Sequence, residues 1–124
     1  MTYIDLTDPK LDLNCMAGQV TQEDIDHGVK CNHEQCALAR AVERMFPGHT
    51  IFVDDYIAIN DMKGETVLDM AITDQLLEWI DAFDNKKPVE PIPLIIYKSQ
   101  YGMNDWILCI GEESDAQCGI ETAA

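Results

Sequence analysis

The chain reads as an α+β protein, a single compact domain with an antiparallel sheet of four or five strands and two main helices packed on one face. Three observations predict this. β-Branched and aromatic runs at residues 50–53, 56–59, 94–97 and 106–110 have the length and composition of strands. Apolar side chains recur every three or four residues through 38–46 and 72–83, the spacing that aligns them along one helical stripe. A length of 124 residues, 47% of them hydrophobic and 25% charged, suffices for one core and is too short for two.

Taken in order, residues 1–19 read as an extended lead-in, 20–110 as the folded domain and 111–124 as a frayed tail. In the lead-in, residues 3–6 suit a short edge strand that Asp8 and Pro9 end, because the residue before proline is pushed to extended geometry. Thr21 starts a short helix: its hydroxyl can accept an orphan backbone N–H, and Glu23 and Asp24 lie in the positive first turn. Gly28 is expected to close that helix in a left-handed conformation, with Val20 and Ile25 packing inward. The next helix is expected from Asn32 or His33 to Phe46, stopped by Pro47 and Gly48. Leu38, Ala39, Val42, Met45 and Phe46 form its inner stripe and Arg40, Glu43 and Arg44 its outer side. Ala37, Ala39 and Ala41 keep it slim enough to lie close to a sheet.

Asp54 and Asp55 separate strands 50–53 and 56–59. They read as a hairpin joined by a tight turn, but both central residues of a type I′ turn require positive φ, for which Asp-Asp is poorer than Asp-Gly, so a bulge and a bent strand also remain open. Lys63 and Gly64 form another turn before a third strand at 65–68. A helix follows over 72–84, with Ile72, Leu76, Leu77, Ile80 and Phe83 in one stripe, Trp79 at its margin, and Asp74, Glu78 and Asp81 stacked along the other side. Like charges so spaced destabilise a helix by roughly 0.2–0.5 kcal/mol per pair, so packing must hold it. Lys86 and Lys87 suit its negative end. Pro88, Pro91 and Pro93 then force an extended run into strand 94–97, and Gly102 turns the chain toward 106–110.

Charge is the anomaly. With 23 acidic and 8 basic residues the net charge is −15. Such a surface repels nucleic acid and anionic lipid and attracts basic protein clefts. Five cysteines, an odd number, and a start lacking both a basic and an apolar run predict a reduced, cytoplasmic setting rather than a disulfide scaffold. No segment approaches the roughly 20 apolar residues a membrane helix needs. The acidity concentrates in residues 49–85, where Asp54, Asp55, Asp61, Glu65, Asp69, Asp74, Glu78, Asp81 and Asp84 face one base, Lys63. The first eight of these acids are the candidate partner-binding residues.

Other chemistry is less pronounced. Cys31, His33 and Cys36 are weak candidate metal ligands. Their spacing does not match the paired cysteines of a zinc site, and a fourth ligand would have to come from Cys15, His27 or Cys109. Cys31 or Cys36 as nucleophile, with His27, His33 or His49 as base, lacks an accompanying oxyanion turn, so catalysis is not expected. Asp54, Asp55, Asp61 and Asp69 do not fit an EF-hand loop. Glycine-rich phosphate loops are absent. Tyr56, Trp79, Tyr97 and Trp106 lack the basic neighbours of a base-stacking platform. Neither a cofactor nor bound nucleic acid is expected.

At Val20–Gly28, Cys36–Ala41 and Phe83–Pro91 the chain resembles a loose group of small phage and prophage proteins with no assigned activity. The resemblance covers roughly residues 20–96, and Ala37 stands where that group usually has proline. It implies a phage setting and a compact α+β domain, and no active residue. By analogy of class, small acidic phage proteins of this kind are similar to the DNA-mimicking anti-CRISPR and anti-restriction proteins. The expected function is therefore inhibition of a host-defence nucleoprotein complex, a CRISPR effector first, in the host bacterial cytoplasm. The partner is a protein complex with a basic nucleic-acid channel, and contact with a membrane is not expected. The alternatives are a binding module using an apolar patch around Trp79, Tyr97 and Trp106, and a small Cys/His metal-binding protein.

Overall fold

Among the described residues, six strands form a mixed sheet curled around one of three helices. They run β1 (Met16–Val20), α1 (Gln22–His27), α2 (Ala37–Met45), β2 (Thr50–Val53), β3 (Tyr56–Asn60), β4 (Thr66–Ile72), α3 (Asp74–Asp84), β5 (Ile92–Lys98) and β6 (Trp106–Ile110). The structure is a computed structural model that describes Leu6, residues 12–98 and residues 106–111. The expected strand at 3–6 (Leu6 aside), the turn at Gly102, Cys118 and the tail from 112 lie outside the described residues. None of the helices among the described residues is long and apolar enough to cross a membrane.

The strand order is β1-β5-β6-β4-β3-β2. Neighbours are antiparallel except β4 and β6, which are parallel. This corrects the expected antiparallel sheet of four or five strands. β1 escaped the sequence reading because Ala17, Gly18 and Gln19 have little strand preference of their own. Pairing with Ile92–Ile96 of β5 makes them a strand. β4 runs past residue 68 because Met70 and Ile72 are buried and lie opposite Trp106 and Leu108 of β6. Ile72 thus ends a strand and does not begin the acidic helix. Thr73 is the N-cap, and its hydroxyl accepts the Leu76 N–H.

α2 is the pivot of the core. It packs on β1 and on β2, the two edges of the sheet, so the strands must curl around it. Ala37, Ala39 and Ala41, all fully buried, let the backbones approach. Gly18 on β1 has no side chain for the same reason: a Cβ there would lie 2.5 Å from Met45 Sδ. Leu38, Val42 and Phe46 meet Ile51, Val53, Ile57, Ile59, Leu94, Ile96 and Leu108 in one cluster, joined by Leu76 and Phe83 of α3. The main helices therefore share one face of the sheet, as the sequence predicts.

Two helix ends differ from expectation. Thr21 caps α1 with a reciprocal bond to Asp24, as its spacing suggests, but Gly28 adopts φ −68° and is not left-handed. Glycine is required there by crowding, because a Cβ would sit 2.6 Å from both Ala37 N and Asp24 O. α2 starts at Ala37, well after Asn32. The Asn32 side chain accepts the N–H groups of Glu34 and Gln35, a turn that competes with helix and delays it until Cys36 becomes the cap.

Candidate functional site

The Asp54–Asp55 turn joins β2 to β3 as an antiparallel hairpin, resolving the three options the sequence leaves open. Both aspartates are exposed at its tip. Across from them lies the C-terminal half of α3, with Asp81 exposed and Asp84 half-buried. Residues 31–36 close the third side. The three segments enclose a cleft of about 410 Å³ lined by Cys31, Asn32, His33, Cys36, Val53, Asp54, Asp55, Leu77, Ile80, Asp81 and Asp84.

Specific ties hold that third side in place. Cys31 has φ +57°, a left-handed conformation that costs a non-glycine residue roughly 1–2 kcal/mol. Its N–H donates to Asp84 Oδ1 at 2.8 Å, which fixes both the turn and the carboxylate. His33 is held against β2 twice: Val53 N donates to His33 O at 2.8 Å, and His33 Nδ1 donates to Val53 O at 2.6 Å. Its ring stacks on Phe52 with centroids 4.6 Å apart. Lys30 places its Nζ 4.6 Å from the centre of the Phe83 ring. The cleft is therefore a built feature, joining residues that are 53 positions apart in the chain.

The end of α3 carries an electrostatic cost. The C-terminus of a helix is negative, and Asp81 and Asp84 lie in its last turns with no basic residue beside them. Lys86 and Lys87 fall beyond the Asn85 cap. Their N–H groups bond to Phe83 O and Ala82 O to finish the helix, and Lys86 occupies the φ +63° position where glycine is usual. Among the described residues the ion pairs are Arg40–Asp24 and Arg44–Asp24, so no cleft carboxylate meets a lysine or arginine of these residues within bonding distance.

Of the eight acidic residues singled out in the sequence, Asp54, Asp55 and Asp81 line the cleft. Asp74 and Glu78 continue the exposed side of α3 away from it, Asp74 about 10 Å up the axis from Asp81. The remaining three lie elsewhere. Asp61 builds the β3–β4 turn at the opposite end of β3, where its carboxylate accepts the N–H groups of Lys63 and Glu65. Glu65 is exposed in the same turn. Asp69 pairs with Ala58 on the sheet face turned away from the helices. Asp84 belongs to the cleft though its neighbours Asp54 and Asp55 are distant in sequence. Leu77 and Ile80, part of the apolar stripe of α3, are half-buried and form the cleft floor with buried Val53.

The cysteines and histidine face the same cleft in separate roles. Cys36 is buried and its Sγ accepts the Ala39 N–H as a helix cap. Burial pushes its thiol up from the ordinary cysteine value, helped by the charge of Asp84, which keeps it protonated near neutral pH. His33 Nδ1 is committed to Val53 O. Among the described residues no group of three or more His, Cys, Asp or Glu side chains is arranged to hold a metal ion. Cys15 is disulfide-bonded, whereas Cys31 is an exposed free thiol and Cys36 a buried one.

The apolar residues of the alternative reading do not form one patch. Trp106 is buried. Trp79 stacks on Phe83 and donates its indole N–H to Glu90 O at 3.0 Å. Tyr97 alternates with buried Ile96 and so projects from the opposite face of the sheet. No family model matches the chain, and comparison with curated proteins and with solved structures returned no match.

Proposed function

We propose that the protein acts by binding, not by catalysis, as a phage inhibitor of a host-defence nucleoprotein complex, with a CRISPR effector as the expected target. Its acidic end occupies a basic surface that would otherwise take nucleic acid. The observation that carries this reading is the convergence of Asp54, Asp55, Asp81 and Asp84 on one cleft, with none of them paired to a lysine or arginine of the described residues. Glu78 and Asp74 extend the negative line along α3. Duplex DNA carries one charge per about 1.7 Å of axis, and a protein that binds it presents lysines and arginines to match. A rigid row of carboxylates meets the same groups. Rigidity favours binding, since each flexible side chain ordered at an interface costs roughly 0.5–1.5 kcal/mol. The acidic residues at Asp61, Glu65 and Asp69 lie outside this surface, so the mimic is narrower than the whole middle third of the chain.

The test is capture from a bacterial lysate on the immobilised protein, followed by elution in a rising NaCl gradient. The screening length falls from about 8 Å at 0.15 M to about 3 Å at 1 M. Basic nucleic-acid-binding proteins should be retained at the lower salt and released before the higher. Recovery of only neutral or acidic proteins, or retention indifferent to salt, would falsify the proposal.

A further inference from the structure

The geometry points to the cleft as a seat for one arginine side chain of a partner protein. This rests on the reading above and adds the contact at its centre. The carboxylates alone do not make the case; the shape and lining of the groove do. At about 410 Å³ it lies near the small end of ligand clefts, which run from roughly 300 to 1,000 Å³, and admits a side chain rather than a folded segment. Its floor is apolar, with Val53 buried and Leu77 and Ile80 half-buried, a surface suited to the methylene stem of a long basic residue.

The polar groups stand around that floor on two sides. Asp54 and Asp55 come from the hairpin tip, Asp81 and Asp84 from α3. Asp84 is oriented by the Cys31 N–H on its Oδ1, and Asp81 Oδ1 is 3.1 Å from Asn85 Nδ2, so each keeps a second oxygen for a ligand. A guanidinium offers five N–H donors in a plane and can bridge carboxylates on both walls. An ammonium is a compact and more strongly hydrated point charge. The chain cannot fill the seat with an arginine of its own. Its sequence contains two, and Arg40 and Arg44 are both engaged with buried Asp24.

The experiment is an NMR titration of the isotopically labelled full chain with N-acetyl-arginine methylamide, with its lysine counterpart and with MgCl2, at fixed ionic strength. Saturable shifts are expected at amides 31–33, 53–55 and 77–84, with the arginine probe binding more tightly than the lysine probe. Asp55→Asn with Asp81→Asn should weaken it by about fivefold, the scale of an exposed ion pair, while the amide spectrum elsewhere stays that of the folded chain. Equal shifts at the Asp61–Glu65 turn overturn the proposal, because they indicate diffuse counterion binding. Stronger binding of the lysine probe or of Mg²⁺ at the cleft, or no saturable binding, overturns it as well. Failure here with salt-sensitive capture of basic proteins intact removes the arginine seat and leaves the acidic mimic. A filled seat with no basic protein captured removes the mimic instead.

Discussion

Asp24 and Asp81 are both helical aspartates, and the chain treats them in opposite ways. Asp24 is fully buried and matched by Arg40, Arg44 and the Thr21 backbone N–H. Burial alone would raise its carboxyl, but the Arg44 guanidinium and Thr21 outweigh that and hold its pKa at about 2. Arg44 also donates to Gln19 O, so the cluster ties α1, α2 and the edge strand β1 together. Asp81 is exposed at the negative end of its helix, and its side chain has a neutral amide for a neighbour. Both arginines of the chain thus serve one buried acid, and none serves the cleft. Charge at the first end holds the fold together. Charge at the second opposes it, and the proposed basic partner would give it a use.

Mutations that exchange these properties sharpen the comparison. The largest effect is expected from Arg44→Ala, which leaves Asp24 buried with less than its full complement of donors. Urea unfolding should show a loss of about 3 kcal/mol, and a loss below the size of one ordinary hydrogen bond would mean that the paired end does not anchor the fold. Gly28→Ala comes next, at about 2 kcal/mol, because the added methyl meets the backbone at Ala37 and Asp24 and not a movable side chain.

Acid should act on the same end. The folded pKa of Asp24 lies below its ordinary value of 3.8. The stabilisation it provides is therefore complete above about pH 4 and is lost as pH falls through about 2, amounting to roughly 2 kcal/mol. A thermal-melt series over this range should show the fall in the parent and a shallower one in Arg44→Ala. The smallest effects belong to the cleft. Asp54→Asn and Asp81→Asn should change stability by less than about 0.5 kcal/mol, with Asp81→Asn on the stabilising side because it relieves repulsion along α3 and with the helix dipole. A clear destabilisation by either would show a structural role and break the contrast.

Local signals in the sequence carried most of the elements but not their arrangement. The α1 cap and the α2 stripe follow from residue type and spacing, and both are present; at Asp54 and Asp55 the structure selects the hairpin from three readings the sequence left open. β1 and the parallel β4–β6 pair were not legible, because each depends on a partner strand more than 30 residues away and not on its own composition. The delayed start of α2 follows from the Asn32 turn, a competition that periodicity does not register. For the site, the acidity of α3 and of the hairpin was plain, and their convergence was not. Leu77 and Ile80 looked like core because their spacing is that of a core stripe. Nothing local signals that Cys31 reaches Asp84, or that Asp61 and Asp69 point elsewhere.

The most direct test of the account combines stability and binding in one variant carrying Asp55→Asn, Glu78→Gln and Asp81→Asn. Its melting temperature and its retention of lysate proteins at 0.15 M NaCl, a salt at which screening extends only about 8 Å, are measured beside the parent's. The account predicts a melting temperature equal to or above that of the parent, with retention of basic proteins largely lost. A lowered melting temperature with retention unchanged would contradict it, because these carboxylates would then belong to the fold and not to a partner.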